Sequence, residues 1–225
     1  MNLKQVTLTG ADDSVNPSDL VEISKEYGFV EWGILLGSKG GTRFPTKRWI
    51  EDLLKVAPTT MNLSAHLCGH FVTDALIFDV GPNLDPKFQR TQVNTHGALF
   101  NLYGVKTKWI KGIPQKVIFQ CDGVNDDMIH GFTKMGLGSP LFDTSSGAGV
   151  LPKDWPKAWQ DTYCGYAGGL DPTNVVEELK KIDLQTSGQP FWIDMETRVR
   201  SNRDAQFNLG LCREVLEAVK PFIGT

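Results

Sequence analysis

The chain has no cysteine pairs, no long apolar run and no surplus of basic charge, and each absence removes a class of protein. Its four cysteines, Cys68, Cys121, Cys164 and Cys212, are scattered without any Cys-x-x-Cys spacing. They read as free, mostly buried thiols, and neither a disulfide frame nor a structural zinc site is expected. No apolar stretch approaches the ~20 residues that cross a bilayer, and no apolar signal segment opens the sequence. A cytoplasmic protein with no membrane partner is the expectation. A net charge of −3 supplies no basic surface for nucleic acid. No cofactor-binding motif is present, so no cofactor is expected. No linker or low-complexity stretch divides the 225 residues, which suit a single domain, 1–225, with one large core.

What is there is a series of short apolar runs, each ending in glycine or small polar residues. The patterning predicts strands at 5–9, 29–36, 62–67, 90–95, 116–120, the run ending at Asp143, the run ending at Ala167, and 191–194. Helices are predicted at 17–27 (Asn16 as cap, Pro17 at the first position), 46–56, 98–103, 126–135 and 204–219. The stretch 71–80 reads as helix or strand. Eight strands with intervening helical segments in this length describe an α/β fold, a compact (β/α)₈ TIM barrel. A doubly wound open sheet is the competing architecture.

Two glycine turns dominate the second half. Asp143 is followed by Thr144, Ser145, Ser146, Gly147 and Gly149; Gly168 and Gly169 are followed by Asp171 and Pro172, which read as the cap and first residue of a helix. A strand, a glycine turn and a helix start present free backbone N–H groups to an anion such as phosphate. Glycines also serve tight turns that hold no ligand. Asp143, at an apolar strand end, is a candidate proton donor, or else the cap of its own turn. Arg43 lies in a basic, glycine-rich loop with Lys39, suited to an anionic group or simply solvated. His66, Cys68 and His70 alternate at the end of the third strand. They are candidates for a base, or with His96 for a metal, although packed core residues are the plainer reading and no metal site is expected. Glu31, inside an apolar strand, is a functional acid or half of a buried ion pair.

These motifs resemble those of the phosphoribosylanthranilate isomerase family. Leu141-Phe142-Asp143 with the following Ser146-Gly147-Ala148-Gly149 is similar to the family's sixth unit, and Ala167-Gly168-Gly169-Leu170-Asp171-Pro172-Thr173-Asn174-Val175 to its seventh. The strand from Gln92 ending in His96-Gly97, and Gly33-Ile34-Leu35-Leu36 with Thr42-Arg43-Phe44, are similar to the fourth and second. The resemblance implies a barrel that binds a small anionic or phosphorylated molecule, as a monomer or homodimer. It implies Asp143 as acid, Arg43 on a substrate carboxylate, and phosphate at the seventh-unit backbone. Two departures stand out. Thr9 occupies the place of the family's catalytic cysteine, which leaves Asp12, Cys68 and His66 as candidate bases. The eighth unit replaces a glycine turn with Asp194-Met195-Glu196-Thr197-Arg198-Val199-Arg200, making Asp194, Arg198 and Arg200 candidate ligand contacts. The expected activity is an Amadori-type aldose–ketose isomerisation or related acid–base chemistry; a barrel that binds ligand without turnover, as a sensor, is the alternative.

Overall fold

The computed structural model describes residues 1–37, 42–95, 104–145, 148–201 and 205–224. Eight parallel strands close into a barrel in sequence order. They are β1 (Leu3–Thr9), β2 (Val30–Leu36), β3 (Asn62–Leu67), β4 (Arg90–Val93), β5 (Lys116–Cys121), β6 (Ser139–Phe142), β7 (Cys164–Ala167) and β8 (Phe191–Met195). Closure is made by β1, whose Val6 pairs with Val30 of β2 on one side and Ile193 of β8 on the other. The open-sheet alternative is thereby excluded.

The connecting helices are α1 (Pro17–Glu26), α2 (Lys47–Val56), α3 (His70–Thr73), α4 (Lys108–Gly112), α5 (Asp126–Lys134), α6 (Val175–Thr186) and α7 (Leu209–Val219). Asn16 caps α1 by accepting from Ser18 N at 2.9 Å, a contact that stabilises a helix start by about 1 kcal/mol. The ambiguous stretch near 71–80 is α3 running into a π-helical turn, Asp74–Phe78. The helix expected at 98–103 lies outside the described residues.

Two helix starts differ from the sequence reading. Asp171 is not the cap of α6: its Oδ1 gathers Thr173 N, Thr173 Oγ1 and Asn174 N, closing a separate turn before the helix begins at Val175. The last helix begins at Leu209, capped by Asn208. Ahead of it, β9 (Arg200–Ser201) and β10 (Gln206–Phe207) form a small antiparallel ribbon.

Most of the apolar core lies between strands and helices, where Leu8, Trp32, Ile34, Leu63, Phe119 and Ile193 meet Leu20, Leu53, Ile129, Leu179 and Val215. Burial of such side chains contributes about 1.5–3 kcal/mol each. The bore is different. Ile118, Leu141 and Trp192 form a small apolar plug, and buried polar side chains fill much of the rest: Thr7, Thr9, Glu31, Ser64, His66, Arg90, Gln92, Gln120, Asp143 and Asp194. Glu31 is half of an ion pair. Its carboxylate accepts from Arg90 Nε at 2.7 Å and from Thr7 Oγ1 at 2.9 Å, and the guanidinium stacks over Trp192 at 4.6 Å.

Candidate functional site

A cavity of about 40 Å³ opens at the C-terminal ends of the strands, the end where (β/α)₈ barrels carry their chemistry. Thr9 of β1, His66 of β3 and Gln92 of β4 line it on one side. Asp143, Ser145 and Gly149 after β6, Gly168 and Gly169 after β7, and the run from Asp194 to Arg198 complete the wall. Steric demand brings the first pair together. A side chain at position 33 would place its Cβ 2.2 Å from Thr9 Oγ1 and 2.8 Å from His66 Cε1, so only glycine lets these two residues share a wall.

Asp194 is a strongly perturbed carboxyl in the cavity. It is buried and accepts from Thr9 Oγ1 at 2.8 Å. Burial, opposed by the Thr9 bond and reinforced by the charges of Glu196, Glu31 and Asp143, raises its carboxyl well above the ordinary range. A shift in that direction favours the protonated carboxyl, the form that can donate a proton. Asp143 has a contrasting setting. Gln120 Nε2 donates to its Oδ2 at 2.9 Å, and Ser145 N and Oγ donate to its Oδ1 at 3.1 and 2.7 Å. Asp143 thus lines the cavity and caps its own turn at once.

The candidate bases separate. His66 is fully enclosed, and burial, with the nearby Arg90 charge, pushes it down to about 3, so the ring is neutral. Cys68 is corrected outright: it stands beside the cavity without lining it. Burial and the Glu196 charge push its thiol up to about 12, against the opposing Asn94 hydrogen bond. A thiol that holds its proton makes no base. We expect the alkylation rate of Cys68 to climb with pH without a plateau below about pH 10; a plateau near neutrality would restore it as a candidate.

Asp12 is also displaced from the site. Burial raises its carboxyl, but hydrogen bonds from Ser14 and Arg200 outweigh that and hold it below the ordinary value. Arg200, expected to touch phosphate, is sealed inside the loops: Nη2 reaches Asp12 Oδ2 at 2.6 Å and Nη1 donates to Gly10 O. Together they brace the loops after β1 and β8. Arg43 pairs with Glu196 at 2.5 Å and reaches Thr197 Oγ1 at 3.4 Å, linking the β2 and β8 loops. Its backbone is left-handed (φ 83°), held there by its N–H on Asp12 Oδ2 at 3.1 Å. His70 is exposed at the start of α3, so the alternating trio does not converge. His96 and Gly147 lie outside the described residues, and among those described no cluster is placed to hold a metal.

The seventh-unit glycines have an occupant from the chain itself. A Cβ on Gly169 (φ +65°) would fall 2.3 Å from Leu151 N, and one on Gly168 would fall 3.0 Å from Val150 O. The β6–β7 loop therefore lies on the turn that was expected to cradle phosphate. Trp155 anchors that loop by donating Nε1 to Glu178 of α6 at 2.8 Å. Arg198, exposed at the rim, donates Nε to Gly149 O at 3.2 Å.

The whole-chain geometry matches solved barrels. Phosphoribosyl anthranilate isomerase from Thermus thermophilus superposes with a TM-score of 0.64 at 15% identity, over 97% of this chain and 99% of that one. The fold is that of the phosphoribosylanthranilate isomerases. The enzyme from Thermotoga maritima gives 0.60 at 14% identity over 96% and 98% of the two chains. A structure described as native KDPGal also superposes, with a TM-score of 0.52 at 16% identity over 98% and 97%. At such identities the likeness speaks for the barrel alone. No protein-family model matches the sequence, and no curated protein does.

Sequence reasoning missed Gln92, Gln120 and Glu196, and read Asp194 as a ligand contact where the structure shows a buried acid. A signal was available. Thr7, Thr9, Glu31, His66, Gln92 and Gln120 are buried polar residues at alternate positions of their strands, the parity that faces the bore.

Proposed function

We propose that the barrel is an acid–base enzyme acting on a small anionic molecule, a phosphorylated sugar or sugar derivative, by aldose–ketose isomerisation. One observation carries the proposal: Asp194, a buried carboxyl whose hold on its proton is raised, shares one cavity with Asp143, whose oxygens face donors. Isomerisation needs a group to give a proton to the carbonyl oxygen while another removes one from the adjacent carbon. Asp194 fits the first role and Asp143 the second, with Thr9 orienting Asp194. Arg198, at the rim, is the side chain suited to the anionic end.

One reaction is expected to be weak. Thr9 stands where the family's base would be, and its hydroxyl is engaged with Asp194. Loss of a general base costs about 10²–10⁴ in rate, so phosphoribosylanthranilate should be isomerised that much more slowly than by the enzymes sharing the fold. Coupled fluorescence assays measure this directly, and rapid turnover would overturn the assignment of Thr9.

A second reading, a barrel that binds and does not turn over, is favoured by the β6–β7 loop lying on the Gly168–Gly169 turn. Assay of C4 to C6 sugar phosphates, with calorimetry in parallel, decides between them. Turnover that depends on Asp194 supports the enzyme; binding without turnover supports the sensor.

A further inference from the structure

We propose that the floor of the cavity, formed by His66 and Gln92, is a subsite for a hydroxyl-bearing carbon chain, so that the uncharged end of the substrate enters first and the anionic end stays at the rim. This rests on the cavity being a substrate site, and adds which part of the molecule it reads.

The argument starts from unmet hydrogen bonds. His66 is 1% exposed, and neither ring nitrogen has a partner among the described residues. Gln92 is 5% exposed; its Nε2 donates to Asn94 Oδ1 at 2.8 Å, while its Oε1 has no partner among the described residues. Leaving such an atom unpaired forfeits its hydrogen bonds to water and is destabilising. Three orphan atoms on two residues that line one cavity are a demand for an occupant.

The chemistry of that demand is specific. Gln92 Oε1 needs a donor, and a neutral imidazole needs one donor and one acceptor. A hydroxyl supplies both functions. A carboxylate supplies acceptors only, and a phosphate nearly so, which leaves Gln92 Oε1 unmet. Charge points the same way. The neutral ring brings no positive charge to the floor, and the acidic side chains Asp143 and Glu196 share its walls, which disfavours an anion there. Size agrees: about 40 Å³ is room for roughly three waters, or for a one- or two-carbon hydroxylated end. That end would lie beside Asp194 and Asp143, so the reactive terminus of an open-chain sugar is the part that fits.

The test is long-range ¹H–¹⁵N spectroscopy of the histidine rings, with His66 assigned from His66→Asn or by elimination using His70→Gln, His96→Gln and His130→Gln. Erythritol 4-phosphate should move the His66 ring signals, inorganic phosphate should leave them in place, and Gln92→Leu should weaken erythritol 4-phosphate about tenfold. Equal ring shifts with inorganic phosphate, unmoved signals with both probes, or unchanged affinity in Gln92→Leu would each overturn the subsite. Turnover assays on Asp194→Asn test the acid–base reading separately: activity retained there removes that reading, whatever the ring signals do.

Discussion

Asp194→Asn is expected to lower turnover of any sugar phosphate the protein isomerises by about 10²–10⁴, the usual contribution of a positioned acid. The amide keeps the shape and still accepts from Thr9, but it has no proton to give. The same variant should be more stable than the parent at neutral and alkaline pH. The sign follows from linkage. The folded Asp194 carboxyl is raised above the ~3.9 of an unfolded aspartate, so between those two values the folded state holds more protons than the unfolded one. Stability from this group is therefore full below about pH 4 and falls as pH rises through the folded value. Asparagine removes that loss, and the stability-versus-pH profile of the variant should be flatter. Kinetics and urea melts at several pH values measure both effects. Lost turnover with gained stability is the mark of a residue kept for chemistry. Unchanged turnover would remove Asp194 as the acid, and unchanged pH dependence would mean that it ionises freely in the fold.

Glu31→Ala should destabilise the barrel by about 3–5 kcal/mol, because it strips the partner from a buried guanidinium. Arg90 is deep in the bore, its side chain 8% exposed against 1% for Glu31, and its Nη1 has no partner among the described residues. Desolvating a charge is costly, and the paired carboxylate is what offsets it. Two outcomes separate pairing from packing. The double variant Glu31→Leu with Arg90→Met should recover most of the loss, since replacing both charges with apolar groups of similar volume is near neutral. Glu31→Gln should fall between, keeping the shape and losing the charge. Chemical denaturation of the four proteins is the measurement. A loss below about 1 kcal/mol in Glu31→Ala would show that water reaches Arg90 and screens it.

The sequence by itself determined an α/β chain of eight strands, and only the pairing of β1 with both β2 and β8 decided for a closed barrel over an open sheet. Apolar runs broken by glycine and separated by helical periodicity already mark eight strands along the chain, because β and α patterns differ in period. It also determined the free thiols and placed Glu31 and the Asp143 turn on the list of buried acids. Ranking those acids was beyond it. Asp143 and Asp194 look alike in one dimension, each following apolar residues at a strand end, and the difference between them is set by neighbours distant in sequence. Three donors from Gln120 and Ser145 surround one, whereas Thr9, Glu196 and deep burial surround the other. The arginines separate for the same reason: Arg200 and Arg198 are two residues apart, yet one is sealed against Asp12 and the other reaches the rim. The Gly168–Gly169 turn was legible as a turn, but only the tertiary structure lays Val150 and Leu151 on it. Secondary structure follows from local periodicity; protonation, pairing and occupancy are fixed by what the closed barrel brings within a few ångströms.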